Sequence, residues 1–356
     1  MNSTFKTEKS VIGNGHPTYF IADIAANHDG SLEKAIELIH LSAENGANAA
    51  KFQNFSSETI VSDFGFKSLG EQKSHQAEWN KPVSQVYKDA SIPLEWSPKL
   101  KVECDKANID YFTSPYDTVI LDYLADYVCA WKIGSGDITW HDAIAKMAQY
   151  KLPIFLASGA STLNEVKMAV KLISKFNKNL CLMQCNTNYT ASIDNFNYIE
   201  LNVLKTFKNE FGNIILGLSD HTPGHTTVLG AVALGATVIE KHFTDNVNRN
   251  GPDHKFSMDP IAWKEMVDKT KELEKSLGIG NKLVMDNEKE TVILQRRAIR
   301  AKNKINKGQI IKKEDIICLR PCPSDALPPY RIDEVIDKVT LKDIEKEDII
   351  NLKSIE

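Results

Sequence analysis

No uninterrupted apolar run in the 356-residue chain reaches the ~18 residues that a membrane helix needs. The opening residues, Met1 to Lys6, lack the apolar stretch of a secretory signal, so the cytoplasm is the expected compartment. There is no basic excess. The 43 Lys and Arg face 47 Asp and Glu, for a formal net charge of −4, which argues against a general nucleic-acid binder. The six cysteines form no CxxC pair, so neither a disulfide scaffold nor a structural zinc site is expected. No GxGxxG follows the first strand-like run, as a dinucleotide-binding open sheet would require.

Eight short apolar runs are present, each ended by polar or turn residues, and they read as strands: 19–24, 50–55, 110–114, 130–134, 154–158, 180–185, 214–219 and 237–242. Most intervals carry helical periodicity. Ile36, Ile39 and Ala43 share one face. Thr162 to Glu165 reads as a capping box, and Val166, Ala169, Val170 and Ile173 continue its apolar face. Residues 223–234 and 263–273 read similarly. Strand–helix alternation implies parallel strands with right-handed crossovers, and eight such units predict an α/β fold, a (β/α)8 TIM barrel, over residues 1–280. The interval after the second strand is too long for one helix. Residues 60–90 form an insertion there, read either as cover for the barrel mouth or as a surface excursion. Composition shifts after Leu277: 281–295 reads as a linker and 296–356 as a small β-rich module. Within it, Ile305 to Ile311 and Ile344 to Ile350 echo each other. A module this small is marginal alone and is expected to lean on a partner surface. The basic run from Arg296 to Lys313 lacks an aromatic platform and reads as a solvated strand face, and Cys318 and Cys322 read as incidental thiols.

A barrel gathers its reactive groups at the C-terminal ends of its strands, where residues two apart share a face. In strand order, the groups found there are Asp23 and Asn27; Lys51 and Gln53; Ser114; Lys132, Ser135 and Asp137; Ser158 and Gly159; Asn186, Thr187 and Tyr189; Ser219 and His221; Glu240 and His242. Buried lysines are costly without anions. Lys51 and Lys132, with hydroxyls nearby, suit a small ligand carrying phosphate and carboxylate; the alternative is that both snorkel to the surface. His221 and His242 end consecutive strands and could share a divalent ion with positions left open for water and substrate. The alternative is two separate hydrogen-bonded core histidines. His28 and His254 are weaker ligand candidates, while His16, His40 and His75 read as ordinary surface or packing residues. Asp253, in the run Gly251 to His254, could set a carboxylate over the mouth.

Several of these stretches are motifs standing in a fixed order. They are Ile21-Ala-Asp-Ile-Ala-Ala-Asn-His-Asp-Gly30, Lys51-Phe-Gln53, Lys132-Ile-Gly-Ser-Gly-Asp137, Gly217-Leu-Ser-Asp-His-Thr222, Glu240-Lys-His-Phe-Thr244, Gly251-Pro-Asp-His254, Arg296-Arg-Ala-Ile299 and Leu319-Arg-Pro321. Together they resemble the sialic acid synthase family, whose members make nonulosonic acids. The resemblance implies a TIM barrel followed by an antifreeze-like SAF domain over 296–356. It also implies a domain-swapped homodimer in which that domain caps the partner's barrel. The implied reaction condenses phosphoenolpyruvate with the open-chain aldehyde of an N-acylated hexosamine and releases phosphate by C–O cleavage. The implied cofactor is a divalent metal, Mn2+ first, with Mg2+ or Co2+ as substitutes. Carried over by position, His221 and His242 are metal ligands. Lys51, Ser114, Lys132, Ser135, Tyr189 and Ser219 surround phosphoenolpyruvate, with Thr187 standing where relatives have Asn or Ser. Asp23, Lys51, Lys132 and Asp137 are the catalytic set. Gln53, Asp253 and Arg320 face the sugar.

The chain departs from the family pattern in four places. Asp23 and Asp137 stand where Glu is usual, which moves each carboxylate by roughly 1–1.5 Å, enough to matter for catalytic geometry. Thr190 follows Tyr189 in place of Pro, and residues 321–329 replace a Gly-rich stretch. All four are sugar-side changes, and they bring a modified hexose, such as a 2,4-diacetamido-6-deoxy sugar, into consideration beside N-acetylmannosamine. Two rivals remain: a Schiff-base pyruvate aldolase using Lys132 or Lys51, and a non-catalytic carbohydrate-binding relative that lost turnover through the two Glu-to-Asp changes.

Overall fold

In the computed structural model, which describes residues 1–70, 76 and 79–356, every apolar run is a strand. His75 and part of the 60–90 insertion lie outside the described residues. A short hairpin comes first, β1 (Thr4–Lys6) and β2 (Val11–Gly13). Then follow β3 (Tyr19–Asp23), β4 (Ala49–Asn54), β5 (Asp110–Pro115), β6 (Trp131–Ile133), β7 (Ile154–Ala157), β8 (Leu180–Cys185), β9 (Ile215–Asp220) and β10 (Ala236–His242). Strands β3 to β10 pair in sequence order and β10 closes on β3, all in parallel. Both faces of such strands are covered, which is why they read as continuous apolar runs; every residue of β3, β5, β8 and β9 is buried.

Helices fill the crossovers. The capping box forms as expected: Thr162 Oγ1 accepts from Glu165 N at 3.3 Å while Glu165 accepts from Thr162 N at 2.7 Å. Helix Leu163–Phe176 buries Val166, Ala169, Val170 and Ile173. Helix Leu32–Glu44 follows the expected face in part, with Ile39 at its centre. It buries Ala35, Leu38, Ile39 and Ser42, leaving Ile36 and Ala43 only partly covered. The buried Ser42 hydroxyl is satisfied by donating to Ile39 O at 2.9 Å. Between β5 and β6 the crossover helix is reduced to Leu121–Leu124. Among the described residues, no helix is long and apolar enough to cross a membrane.

The hairpin β1–β2 went unread in the sequence because three-residue strands have no period to detect. It closes the N-terminal end of the barrel. Phe5 lies edge-on to Phe155 with ring centres 5.8 Å apart, and Phe155 stacks on Phe112 at 5.2 Å and Tyr19 at 6.2 Å. The buried Asp110 carboxylate accepts from Thr7 Oγ1 at 2.6 Å, Tyr19 OH at 2.7 Å and Lys9 N at 3.1 Å.

The chain divides into two units, Met1–Gly278 and Ile279–Glu356. In the smaller one, β11 (Ala298–Ala301) pairs antiparallel with β12 (Ile316–Leu319) over a core of Ile299, Ile305, Ile311, Val335, Ile344 and Ile350. The sequence echo is structural: Ile305 and Ile344 exchange backbone hydrogen bonds of 2.9 Å, and each opens a bridge–turn–bridge segment. The stretch read as a linker carries the helix Lys289–Gln295.

Phe155→Ala empties the middle of the aromatic stack. It is expected to cost about 3–5 kcal/mol, read as a lower urea midpoint for the barrel transition; an unchanged midpoint would contradict the packing role.

Candidate active site

Strand register builds the site. In the closed barrel Asp23 pairs with Lys51 on one side and with His242 on the other, while Ser219 pairs with Glu240. Alternation along each strand turns these side chains inward at the C-terminal rim. Lys51 Nζ lies 2.6 Å from Asp23 Oδ2, 3.8 Å from Glu240 Oε2 and 3.5 Å from Ser114 Oγ. Lys132 Nζ lies 3.0 Å from Glu240 Oε1, which also accepts from Ser219 Oγ at 3.0 Å. Gln53 Nε2 donates to Asp23 Oδ2 at 3.3 Å. Neither lysine reaches the surface: they are 2% and 4% exposed.

The electrostatics follow from burial against pairing. Burial raises the Asp23 pKa by more than Lys51 lowers it. Burial alone would raise Glu240 too, but Lys132 and Lys51 together hold it below the ordinary carboxylate value. Burial works against charge on Lys51, yet Asp23 and Glu240 raise its pKa. That is the reverse of what a nucleophilic, Schiff-base-forming amine needs.

Above this layer is a cavity of about 340 Å3. Asp23, Lys51, Gln53, Lys132, Ser135, Asp137, Thr187, Tyr189, Ser219, His221, His242 and Asp253 all line it. Ser114 stands behind Lys51, and Arg320 is exposed in the smaller unit. Gly159 is required here: a Cβ on it would lie 1.9 Å from Thr187 Oγ1 and 2.9 Å from Ser135 Oγ, and its N–H donates to Ser135 Oγ at 2.9 Å. Burial pushes Asp137 up to about 6. Asp253 also rises to about 6, by burial, although its Oδ2 accepts from Ala26 N at 3.0 Å.

His221 and His242 face each other with ring centres 5.5 Å apart. Burial, with His221 and the lysines nearby, holds the His242 pKa well below its ordinary value, which favours the neutral imidazole. Its Nδ1 is buried and has no hydrogen-bond partner, and its Nε2 lies 3.5 Å from Asp23 Oδ2. Burial disfavours charge on His221 as well, but the Cys185 sulfur hydrogen-bonded to it raises its pKa, as His221 in turn lowers that of Cys185. Its Nδ1 lies 3.1 Å from Asn186 O. Among the described residues, no three His, Cys, Asp or Glu side chains converge as a ready metal centre. Two imidazoles, one with an orphaned nitrogen, beside a carboxylate fit an ion whose other positions are left to water and substrate. His254 and His28 play other parts. His254 is fully buried between Thr244 Oγ1 at 2.7 Å and Asp29 Oδ1 at 2.9 Å. His28 accepts from Gly30 N at 3.0 Å, and burial lowers its pKa to about 4.

Sequence reading missed several contributors. Glu240 was visible at its strand end but not as the counter-ion of both lysines; its place two residues before His242 was the available signal. Cys185, Phe256 and Tyr116 complete the wall, joined from the insertion, one of whose two readings was cover for the mouth, by Trp79 and Tyr87.

Residues 38–282 match the NeuB family and residues 296–356 the SAF domain. The chain belongs to the NeuB family. Among its relatives, an N,N'-diacetyllegionaminic acid synthase of Legionella pneumophila is 34% identical, over 91% of this chain and 90% of that protein. A Campylobacter jejuni protein of the same name is 31% identical, over 94% and 98%. The crystal structure of an N-acetylneuraminic acid synthetase from Leptospira borgpetersenii, in complex with citrate, superposes with a TM-score of 0.70 at 29% identity, covering 81% of this chain and 95% of that one. The resemblance read from the motifs and the barrel-plus-SAF order are thus shown, and this member of the NeuB family is an acid-synthase-type enzyme.

Glu240→Ala would leave Lys132 buried without a counter-charge. A loss of about 3–5 kcal/mol is expected, measured by urea unfolding; a loss below about 1 kcal/mol would mean that Lys132 finds another partner or is not charged.

Proposed function

We propose that this NeuB-family barrel condenses phosphoenolpyruvate with the open-chain aldehyde of an N-acylated hexosamine, giving a nonulosonic acid and inorganic phosphate in the cytoplasm. The observation that carries the reading is the meeting, in one cavity, of two buried lysines and two facing imidazoles. The acceptor we favour is a 2,4-diacetamido-6-deoxy hexose. The names of the two curated relatives and the shorter carboxylates at Asp23 and Asp137 support it.

Lys51 and Lys132 hold the phosphate and carboxylate of the enol phosphate, and Ser135 and Ser219 orient it. Both lysines are already balanced by Asp23 and Glu240, so an anion and a divalent cation entering together keep the buried charge in balance. An ion held by His221 and His242, Mn2+ first, would supply Lewis-acid polarisation of the aldehyde oxygen. The alkene carbon forms the new bond to the aldehyde carbon, whose oxygen takes up a proton. Water adds to the cationic enol-ether carbon and loses a proton. The adduct's hydroxyl then gives up its proton as the ketone forms, the C–O bond to the phosphorus-bound oxygen breaks, and phosphate departs with the bonding pair. Asp137 lines the cavity with its pKa pushed up by burial to about 6 and can accept or return these protons. Gln53 and Asp253 face the sugar. Arg320 would join them from the SAF domain of a second copy in a domain-swapped homodimer.

A Schiff-base aldolase is the less supported reading, because Lys51 and Lys132 are each engaged by a carboxylate. Phosphate release from phosphoenolpyruvate, measured against a panel of N-acyl hexosamines, is expected only when sugar is present. Release should stop in excess EDTA and in His242→Ala, and borohydride with pyruvate should trap no adduct. Full turnover in EDTA sinks the metal role, and a trapped adduct sinks the condensation.

The pH dependence has a definite sign. Asp137 takes up a proton as pH falls through about 6, so base function is lost on the acidic side. The acidic limb of kcat/KM is expected to fall about tenfold per pH unit below that point. Asp137→Asn should remove the limb and lower the plateau; a limb that survives assigns it to another group.

A further inference from the structure

A second buried ion pair lies outside the cavity. Asp220 and Lys241 stand directly opposite each other in the β9–β10 register. Alternation places their side chains on the outer face of the barrel wall, where both are nearly inaccessible, at 2% and 1% exposed. Lys241 Nζ donates to Asp220 Oδ2 at 2.5 Å and to Thr222 O at 2.6 Å. The carboxylate also accepts from Thr222 N at 3.2 Å, Thr222 Oγ1 at 2.8 Å and Thr227 Oγ1 at 2.8 Å. Thr227 lies in the first turn of helix Thr226–Ala233. One network therefore ties the end of β9, the turn after it, the next helix and β10.

A buried ion pair rarely outperforms apolar side chains in stability, and its best-attested use is to fix register. A one-residue slip of β10 would turn Lys241 into the barrel and His242 out of it. His221 follows Asp220 and His242 follows Lys241, so the pair sets the height of both imidazoles at once.

We propose that Asp220 and Lys241 are positioning residues: by locking β9 to β10 from outside the barrel, they hold His221 opposite His242 and Ser219 opposite Glu240 at the spacing the reaction needs. Only the turnover readout of this proposal rests on the synthase reading. The test uses the full-length chain carrying Asp220→Asn with Lys241→Met, which removes both charges and keeps an acceptor for Thr222 and Thr227. In metal-free, 15N-labelled protein, the imidazole resonances of His221 and His242, assigned with His221→Gln and His242→Gln, are expected to shift and broaden. In the same variant kcat should fall at least ~10-fold, with KM for phosphoenolpyruvate changed less than about threefold. Unmoved resonances overturn the proposal, as does unchanged kcat despite moved resonances. A kcat that falls only in step with the folded fraction shows a merely structural role and also overturns it. Should the double variant not fold, Thr227→Val removes a single donor to Asp220 and is read by the same criteria, with a smaller shift expected. A wild-type protein that releases no phosphate with any hexosamine refutes the synthase reading instead, and the imidazole resonances then decide this proposal alone.

Discussion

Two lysines can be buried in a barrel wall only where carboxylates meet them, and this charge balance governs the rest of the molecule. Lys51 and Lys132 come from β4 and β6, while Asp23 and Glu240 come from β3 and β10. These four strands become neighbours of one rim only when β10 closes on β3. Closure, charge pairing and the cavity are therefore one event. Removing any charge leaves its partner desolvated, a cost much greater than the gain from making the pair. That asymmetry makes the arrangement discriminating more than stabilising. The observed pairing aims two amines and two imidazoles into the same space.

Much of the fold was legible because parallel strands covered on both faces announce themselves as short apolar runs. Thr162 and Glu165 gave a helix start that needed no tertiary information. Where the reading slipped, tertiary contact decided. Helix Leu32–Glu44 centres its buried face on Ala35, Leu38, Ile39 and Ser42, with Ile36 and Ala43 packed at its margin. The strands at Thr4 and Val11 were too short to show any alternation, and Leu121–Leu124 too short to show a helical one.

The site was legible as a set of strand ends but not as a set of pairings. Lys51, His221 and His242 could be picked out because charge and imidazole are conspicuous in apolar runs. Which carboxylate answers which lysine depends on register across strands far apart in sequence. Glu240 therefore looked like a neighbour of His242 when it is the hub for Lys132, Ser219 and Lys51. Asp220 and Lys241 were hidden for the same reason: in sequence each is merely the residue beside a histidine. The aromatic side of the cavity, Trp79 and Tyr87, comes from an insertion whose place over the rim no local pattern specifies.

The plugged floor also gives the cavity a fixed lower wall. With Phe5 set against Phe155 and the Asp110 carboxylate fastening the hairpin beneath, the barrel is closed at its N-terminal end. A molecule held against the lysines meets a closed wall below it, so the hairpin serves the cavity as a fixed backstop and the strand-end rim faces whatever enters.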